Sequence, residues 1–358
     1  MRRMCLVYAR ALALFLALAM LAGGARAGAA PAGLTIDGAE IADAATLDAA
    51  KKDGKLFLYS TYESTAMKKL LAAFTADTGL PVDVIRLTSQ PMFERVTAEY
   101  AAHRLAADWV DTTDITLTDQ LAKRGIFATS TVPAMRGLPR VLHDDGGHWF
   151  MIVRSLMIIG VNTGVVKPAD VPAKWTDLLD PRWKGKIGMA SIDAGGTTYS
   201  AYFFLRQKYG IDFWRKLAAQ DPRLVPSAAP VMTDLARGET SIAIEPQESL
   251  VGEIANGTPV KIVHPAGGSP AYGISGGITS TAPHPHAAQL WLDWITSKRG
   301  GAVLAAGGAY GINSASPTPN MAGLTFPPAS EVYNIRPTDY TQSREAYTKE
   351  WHQIFGTR

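Results

Sequence analysis

Three polar loops stand where helices are expected to begin. They read Ser60-Thr61-Tyr62-Glu63, Thr88-Ser89-Gln90 and Asp193-Ala194-Gly195-Gly196-Thr197-Thr198. Hydroxyls at the start of a helix can cap the free N–H groups of its first turn, an effect worth about 1 kcal/mol each. Together with those N–H groups and the positive end of the helix dipole, they can instead hold a carboxylate, phosphate or phosphonate. The third loop is the strongest candidate. Its two glycines permit close backbone approach, and two hydroxyls follow at the helix start. Arg154 interrupts an otherwise apolar stretch from Phe150 to Val161. An unpaired buried charge is costly, so Arg154 is either a bidentate clamp on an anionic ligand or one half of an ion pair. Arg86 is a weaker version of the same idea. Tyr62, Tyr199, Trp149 and Tyr272 are flat walls or hydroxyl contacts if they face a ligand, and core if they do not.

Other chemistry finds little support. There is no His-Glu-x-x-His and no phosphate loop ending Gly-Lys-Ser/Thr. The seven histidines are scattered without a triad-like spacing. Gly195-Gly196 lacks the third glycine and following acid of a dinucleotide fingerprint. No enzyme activity and no cofactor are expected. The single cysteine, Cys5, lies near the start of the chain.

That start has a meaning of its own. Arg2, Arg3 and Arg10 precede an apolar run from Ala11 to Ala22, and Ala25-Arg26-Ala27 follows. This is the three-part pattern of a secretory signal peptide, cleaved before Gly28. The apolar run is too short for the roughly 20 residues that cross a bilayer. The leader carries four of the 35 Lys and Arg residues and none of the 32 acids, so its removal leaves 31 cations against 32 anions, a formal charge of −1. The mature chain is then thiol-free, which suits an oxidising exported compartment. Its charge offers no argument for nucleic acid.

The elements that must position the loops come from periodicity. Residues 28–45 read as a loose segment. A helix from Ala44 to Asp53 ends at Gly54, and Lys55–Ser60 is a short buried strand. Met67, Leu70, Leu71 and Phe74 share one helical face. Val82–Ile85 is a strand, Ser89 opens a helix through Tyr100, and Trp109–Ile115 is a third strand. His148–Asn162 reads as two strands broken near Arg154-Ser155. Lys186–Ala190, Ser241–Ile244 and Val260–Val263 are strands, with helices through Tyr202 to Tyr209, near Asp212, from Thr233 and from Ala287 to Ile295. Alternating strands and helices imply parallel sheet with helices on both faces. In such sheets ligands sit beyond the carboxyl ends of the strands, where the three loops fall.

Short segments in consistent order carry a resemblance. They are Ala50-Lys51-Lys52-Asp53-Gly54-Lys55, Tyr59-Ser60-Thr61-Tyr62, Phe74 with Thr78-Gly79, Ala106-Ala107-Asp108, Trp183-Lys184-Gly185-Lys186-Ile187, Ala282-Pro283-His284-Pro285-His286-Ala287-Ala288 and Ser297-Lys298-Arg299-Gly300. From about residue 44 to 301, the chain resembles a periplasmic substrate-binding protein of an ABC importer. Within that superfamily it is similar to the type II, extracellular solute-binding family 1 group that includes ferric-ion binders. The resemblance implies an α/β fold of two lobes, each a mixed sheet flanked by helices, with the ligand cleft between them. It implies lobe closure on a small solute, delivery to a permease in the inner membrane, a periplasmic location and a monomer. Residues 28–130 plus 265–320 are expected in lobe one, 131–264 in lobe two, and 321–358 in a helical tail packed back through Trp351 and Phe355.

Ferric relatives show an adjacent Tyr-Tyr pair after the strand equivalent to Ser241–Ile244. Here that segment reads Glu245-Pro246-Gln247-Glu248-Ser249-Leu250, and no tyrosine occurs between Tyr209 and Tyr272. No metal site is therefore expected, although Tyr62 and Tyr199 with Glu63 or Glu245 could form an unusual one. The expected ligand is a small organic anion. A ferric binder of the same fold is one alternative, and an exported sensor partner or enzyme is another. The candidate contacts are Ser60, Thr61, Tyr62, Glu63, Ser89, Gln90, Arg154, Asp193, Gly196, Thr197, Thr198, Tyr199, Glu245 and Tyr272.

Overall fold

The computed structural model describes residues 33–62, 64–132, 140–321, 324–329 and 332–357; the expected leader and Glu63 lie outside them. The stretch read as loose contains a hairpin, β1 (Leu34–Ile36) with β2 (Ala39–Ala42). Asp43 then accepts a hydrogen bond from Thr46 N at 2.7 Å and so caps α1 (Ala44–Asp53). Gly54 ends that helix at φ 82°, a left-handed position that favours glycine. β3 (Leu56–Ser60), α2 (Ser64–Thr78), β4 (Val82–Arg86) and α3 (Ser89–Ala101) follow. β5 (Trp109–Thr112) stops before Ile115, because Asp114 turns the chain and caps α4 (Ile115–Lys123) by accepting from Thr116 N.

Phe150 to Asn162 is one continuous strand, β6, without the expected break at Arg154-Ser155. The second half of the chain adds β7 (Ile187–Ala190), α5 (Gly196–Tyr209), α6 (Ile211–Ala218), β8 (Arg223–Val225) and α7 (Ala228–Arg237). Then come β9 (Ile242–Pro246), α8 (Gln247–Ala255), β10 (Val260–Val263) and β11 (Ala271–Ile278). α9 (Pro285–Ile295), α10 (Lys298–Ala306) and α11 (Pro337–Phe355) complete the order. α7 begins upstream of Thr233, and β8, α4, α8 and β11 were not foreseen.

The strands run in the order β4-β3-β5-β11-β6-β9-β7-β8, with β10 also on β6. β3, β4 and β5 are parallel, as are β7, β8 and β9. β6 joins the two groups. Its residues up to Leu156 pair antiparallel with β11, and from Met157 onward they pair with β9 and β10. The arginine does not break the strand, because it pairs with Gly273 of β11, the partner changes only after Leu156, and the backbone ladder stays satisfied on each side. We call the β3-β4-β5-β11 side lobe one and the β7-β8-β9-β10 side lobe two.

Each lobe has an aromatic anchor. In lobe one Phe74 packs edge-on against Trp291 and Trp294, with centroids at 5.3 and 5.5 Å. In lobe two Trp351 of α11 packs against Tyr202 and Trp214, each at 5.5 Å. Buried Asp108 ties β5 to α9 by accepting from Phe57 N and His284 N, both at 2.7 Å. Among the described residues no helix is long and apolar enough to cross a membrane.

Asp293 on α9 gives a pH prediction. Burial pushes its carboxyl up to about 7; the Gln289 amide, donating at 3.0 Å, opposes this and Asp43 adds to it. The folded chain therefore keeps a proton that the unfolded chain releases near pH 3.8, and stability falls as pH rises from about 4 to about 7. Asp293→Asn keeps an acceptor for Gln289 and removes the charge. Its melting temperature is expected to exceed the parent's by several degrees at pH 8, with the gap closing toward pH 4.5. A pH-independent gap would contradict this.

Candidate functional site

The parallel strands of both lobes point their carboxyl ends at a cleft between the lobes. Four helices open onto it: α3 at Ser89, α5 at Thr197, α7 at Ala228 and α8 at Ser249. None has a side-chain cap. Thr88 and Ser227 stand at the cap positions of α3 and α7, yet neither hydroxyl bonds its own first turn, and α5 and α8 start at Gly195 and Pro246. Among the described residues no cap side chain holds the first turns of these helices, although Gly196 N is taken by Thr113 Oγ1 from the other lobe, and the positive dipole ends lie at the cleft. Arg86 is the cation among the described cleft residues and Glu248 the acid. The free space is small, about 50 Å³, enough for a few waters, so the lobes stand drawn together.

The first loop is shaped from below. Fully buried Asp111 accepts from Ser60 Oγ at 3.0 Å, Thr61 N at 2.8 Å and Thr61 Oγ1 at 3.1 Å, and from Trp109 Nε1 at 3.2 Å. Burial raises its carboxyl to about 6, against the pull of those bonds. The Ser60 hydroxyl also accepts from Tyr62 N at 3.2 Å. Ser60 thus holds the loop, while Thr61 and Tyr62 line the cleft. Arg86 Nε donates to the Tyr62 carbonyl at 2.8 Å and fixes the loop from the β4 side.

The second and third loops meet each other. The hydroxyls of Ser89 and Thr113 lie 2.9 Å apart, and Thr113 N donates to Ser89 Oγ at 3.2 Å. From lobe two, Gly196 N donates to Thr113 Oγ1 at 3.1 Å. A Cβ on Gly196 would fall 1.6 Å from the Thr113 carbonyl oxygen, and one on Gly195 would lie 2.9 Å from both hydroxyls. The glycine pair, read as room for a ligand, makes room for the opposite lobe instead. Thr197 lines the cleft. Thr198 is buried within α5 and is not among the cleft residues.

Tyr199 is no ligand wall. It is fully buried, its hydroxyl lies 2.6 Å from Ser343 Oγ on α11, and burial raises its phenol well above the usual range. Gln90 and Asp193 face an adjoining groove of about 900 Å³ along α11, which shares Ser89 with the cleft. Gln90 donates to Glu94 at 2.9 Å, and Asp193 pairs with His352 at 3.2 Å. Glu245 is fully buried on β9 opposite Ile158, beneath the cleft rather than in it. Arg154 also lies outside the cleft lining. Its backbone exchanges hydrogen bonds with Tyr310, its Nε has no hydrogen-bond partner among the described residues, and burial lowers its pKa.

Tyr272 does line the cleft. Its hydroxyl and that of Ser155 both donate to the Glu248 carboxylate, which ties α8 to β11 and β6. Burial, then the Glu248 charge, holds the Tyr272 phenol well above its usual range. Glu248, Thr113, Ser227 and Ser249 were missed. Thr112-Thr113-Asp114 was legible as a polar run, but not recognised as a helix start. Also missed was Gly273-Ile274-Ser275-Gly276-Gly277, which spells the Gly-x-Ser-x-Gly elbow that the sequence reading took to be absent. It lies inside β11, with Ser275 buried and paired to Thr112 and Met151, so no turn presents the hydroxyl. Among the described residues no three His, Cys, Asp or Glu gather to hold a metal.

Known proteins match this arrangement. A family profile described as bacterial extracellular solute-binding protein matches residues 106–327, more than half of the chain. Iron uptake protein A1 of Synechocystis is 24% identical over 266 residues, 69% of this chain and 72% of that protein. The Fe(3+)-binding periplasmic protein of Serratia marcescens is 21% identical over 278 residues, 74% of this chain and 81% of the relative. The periplasmic binding protein AfuA of Actinobacillus pleuropneumoniae, solved with exogenous fructose-6-phosphate bound, superposes with a TM-score of 0.71 at 21% identity. That match covers 85% of this chain and 99% of the other. Iron-bound HitA of Pseudomonas aeruginosa superposes at 0.68 and 18% identity, covering 84% and 99%. The two superpositions share the type II periplasmic binding fold.

Proposed function

The chain belongs to the bacterial extracellular solute-binding proteins of ABC importers, and we propose that it captures a small organic anion by lobe closure and delivers it to a permease in the inner membrane. One observation carries the anion: four uncapped helix N-termini and a single guanidinium converge on one cleft. A carboxylate, phosphate or phosphonate would accept from first-turn N–H groups that no cap side chain holds, Gly196 N excepted because Thr113 Oγ1 takes it. The contacts assigned to it are Thr61, Tyr62, Ser89, Thr197 and Tyr272 from the expected set, with Arg86, Thr113 and Ser227 added. The bound structure of AfuA contains a sugar phosphate, which is a solute of this class. The protein acts in the periplasm, as a monomer whose lobes are free to move.

Thermal-shift titration with inorganic phosphate, fructose-6-phosphate and small carboxylates tests this. Ligand at 100 times its Kd adds about 2.7 kcal/mol of stability. A hydrogen bond to a charged group contributes about 1.5–3 kcal/mol. Arg86→Ala is therefore expected to weaken the bound anion ten- to a hundredfold while the ligand-free melting temperature stays within about 2 °C. Unchanged affinity would remove Arg86 from the site.

A second reading has its own support. Tyr62, Tyr272 and Glu248 bring two phenols and a carboxylate to the same cleft, hard oxygen donors of the kind ferric iron takes. Two relatives and several solved neighbours are iron proteins by name. A visible tyrosinate-to-iron band on adding ferric citrate, lost in Tyr272→Phe, would favour this reading over the organic anion.

A further inference from the structure

The path of the chain after α10 is unusual for the lobes it joins. α9 packs on α1 and α10 on α2, both in lobe one. The chain then crosses back, and α11 is rooted in lobe two. Glu350 accepts from Arg206 Nε at 2.8 Å, Ser343 meets the Tyr199 hydroxyl, and Trp351 is fully buried among Tyr202, Trp214 and Phe355. α11 also runs along α4 of lobe one, and a charged pair forms there. Arg344 Nε donates to Asp114 Oδ2 at 2.8 Å, and the two side chains are only 17% and 4% exposed. The guanidinium lies 4.6 Å above the Tyr199 ring, and Nη2 reaches the Ile192 carbonyl at 3.4 Å.

Asp114 is the cap of α4, with Oδ1 on Thr116 N and Oδ2 left for Arg344. It follows Thr113, which receives Gly196 N from lobe two. The ion pair thus fastens the two lobes beside the point where their backbones touch. By contrast, Arg206–Glu350 and Arg299–Asp77 each stay on one side.

We propose that α11 is a clasp, and that the Arg344–Asp114 pair sets the balance between closed and open lobes before any solute binds. Removing the pair shifts the ligand-free protein toward the open form. The apparent affinity for solute then falls in proportion to the lost closed fraction. The inference rests on lobe closure and not on which solute closes the lobes.

The test reads the lobes directly. Nitroxide labels at Val84→Cys in lobe one and Val165→Cys in lobe two replace exposed side chains, and Cys5→Ser removes the one native thiol. Spin–spin distances are measured without ligand. The parent is expected to show mainly the short distance. Asp114→Asn keeps the Oδ1 cap and loses the charge, and it should shift most of the population to a longer distance. Arg344→Lys should shift it part of the way. If Asp114→Asn loses its far-UV circular dichroism, Arg344→Lys carries the test. Unchanged distances in a folded variant overturn the clasp. A solute screen that finds no anion would defeat the proposed ligand and leave these distances as they are.

Discussion

Gly196→Ala is expected to hold the lobes apart. The new methyl would sit 1.6 Å from the Thr113 carbonyl oxygen, a separation no real contact reaches. The obstacle is backbone, and it is pinned. Thr113 N is held by Ser89 Oγ, and the next residue caps α4. Neither side can yield cheaply, because interiors packed this closely transmit strain instead of absorbing it. The Gly196 N–Thr113 bond is lost as well. Solute affinity should fall a hundredfold or more, which corresponds to about 2.7 kcal/mol, and the radius of gyration of the ligand-bound state should rise. Gly252→Ala is the comparison, since its nearest non-local atom is 3.7 Å away on Thr65. Calorimetry that finds the Gly196→Ala variant within threefold of the parent would show that closure does not need this contact.

Trp351→Ala is expected to be the most destabilising single change in α11. The indole is fully buried, with ring centroids of Phe355, Tyr202 and Trp214 at 4.2, 5.5 and 5.5 Å. Truncating a buried Trp costs about 3–5 kcal/mol, a fall of roughly 5–10 °C in melting temperature for a chain this long. The indole N–H has no hydrogen-bond partner among the described residues. Trp351→Phe therefore loses packing but no polar contact, and should recover most of the deficit. If both variants melt alike, the ring packing is not what seats α11 on lobe two.

The sequence made the helices and parallel strands of lobe one legible, because their apolar positions repeat with clear periods. β11 stayed hidden because Gly273, Gly276 and Gly277 make it read as a loop. The structure shows why glycine is required there. A Cβ at Gly276 would lie 2.3 Å from the Val110 carbonyl, and one at Gly277 would lie 2.2 Å from that of His148. α4 stayed hidden because Ile115, Thr116 and Thr118 at its start are weak helix formers. All three polar loops supply residues to the cleft, and the third supplies the contact between lobes, but which residue does which was not legible. Ser60 ends one strand and Ser89 follows another, yet one holds up its loop from below and the other meets Thr113. That distinction depends on Asp111 and Thr113, which come close only after β5 lies beside β3. Tyr199 and Arg154 were drawn toward a ligand by residue type alone. Their surroundings come from α11 and from Tyr310, more than a hundred residues along the chain.

β6 belongs to two sheets at once. In a strand with period two, a slip of one residue turns every side chain to the opposite face. Here such a slip could not stay local. The irregularity at Ile152 already absorbs one residue against β11, but inserting or deleting a residue between Val153 and Leu156 would misalign Met157 to Val161 against β9 in the same stroke. The two lobes therefore share one reading frame. Neither can drift in length through this strand or be exchanged for a foreign half without re-phasing its neighbour.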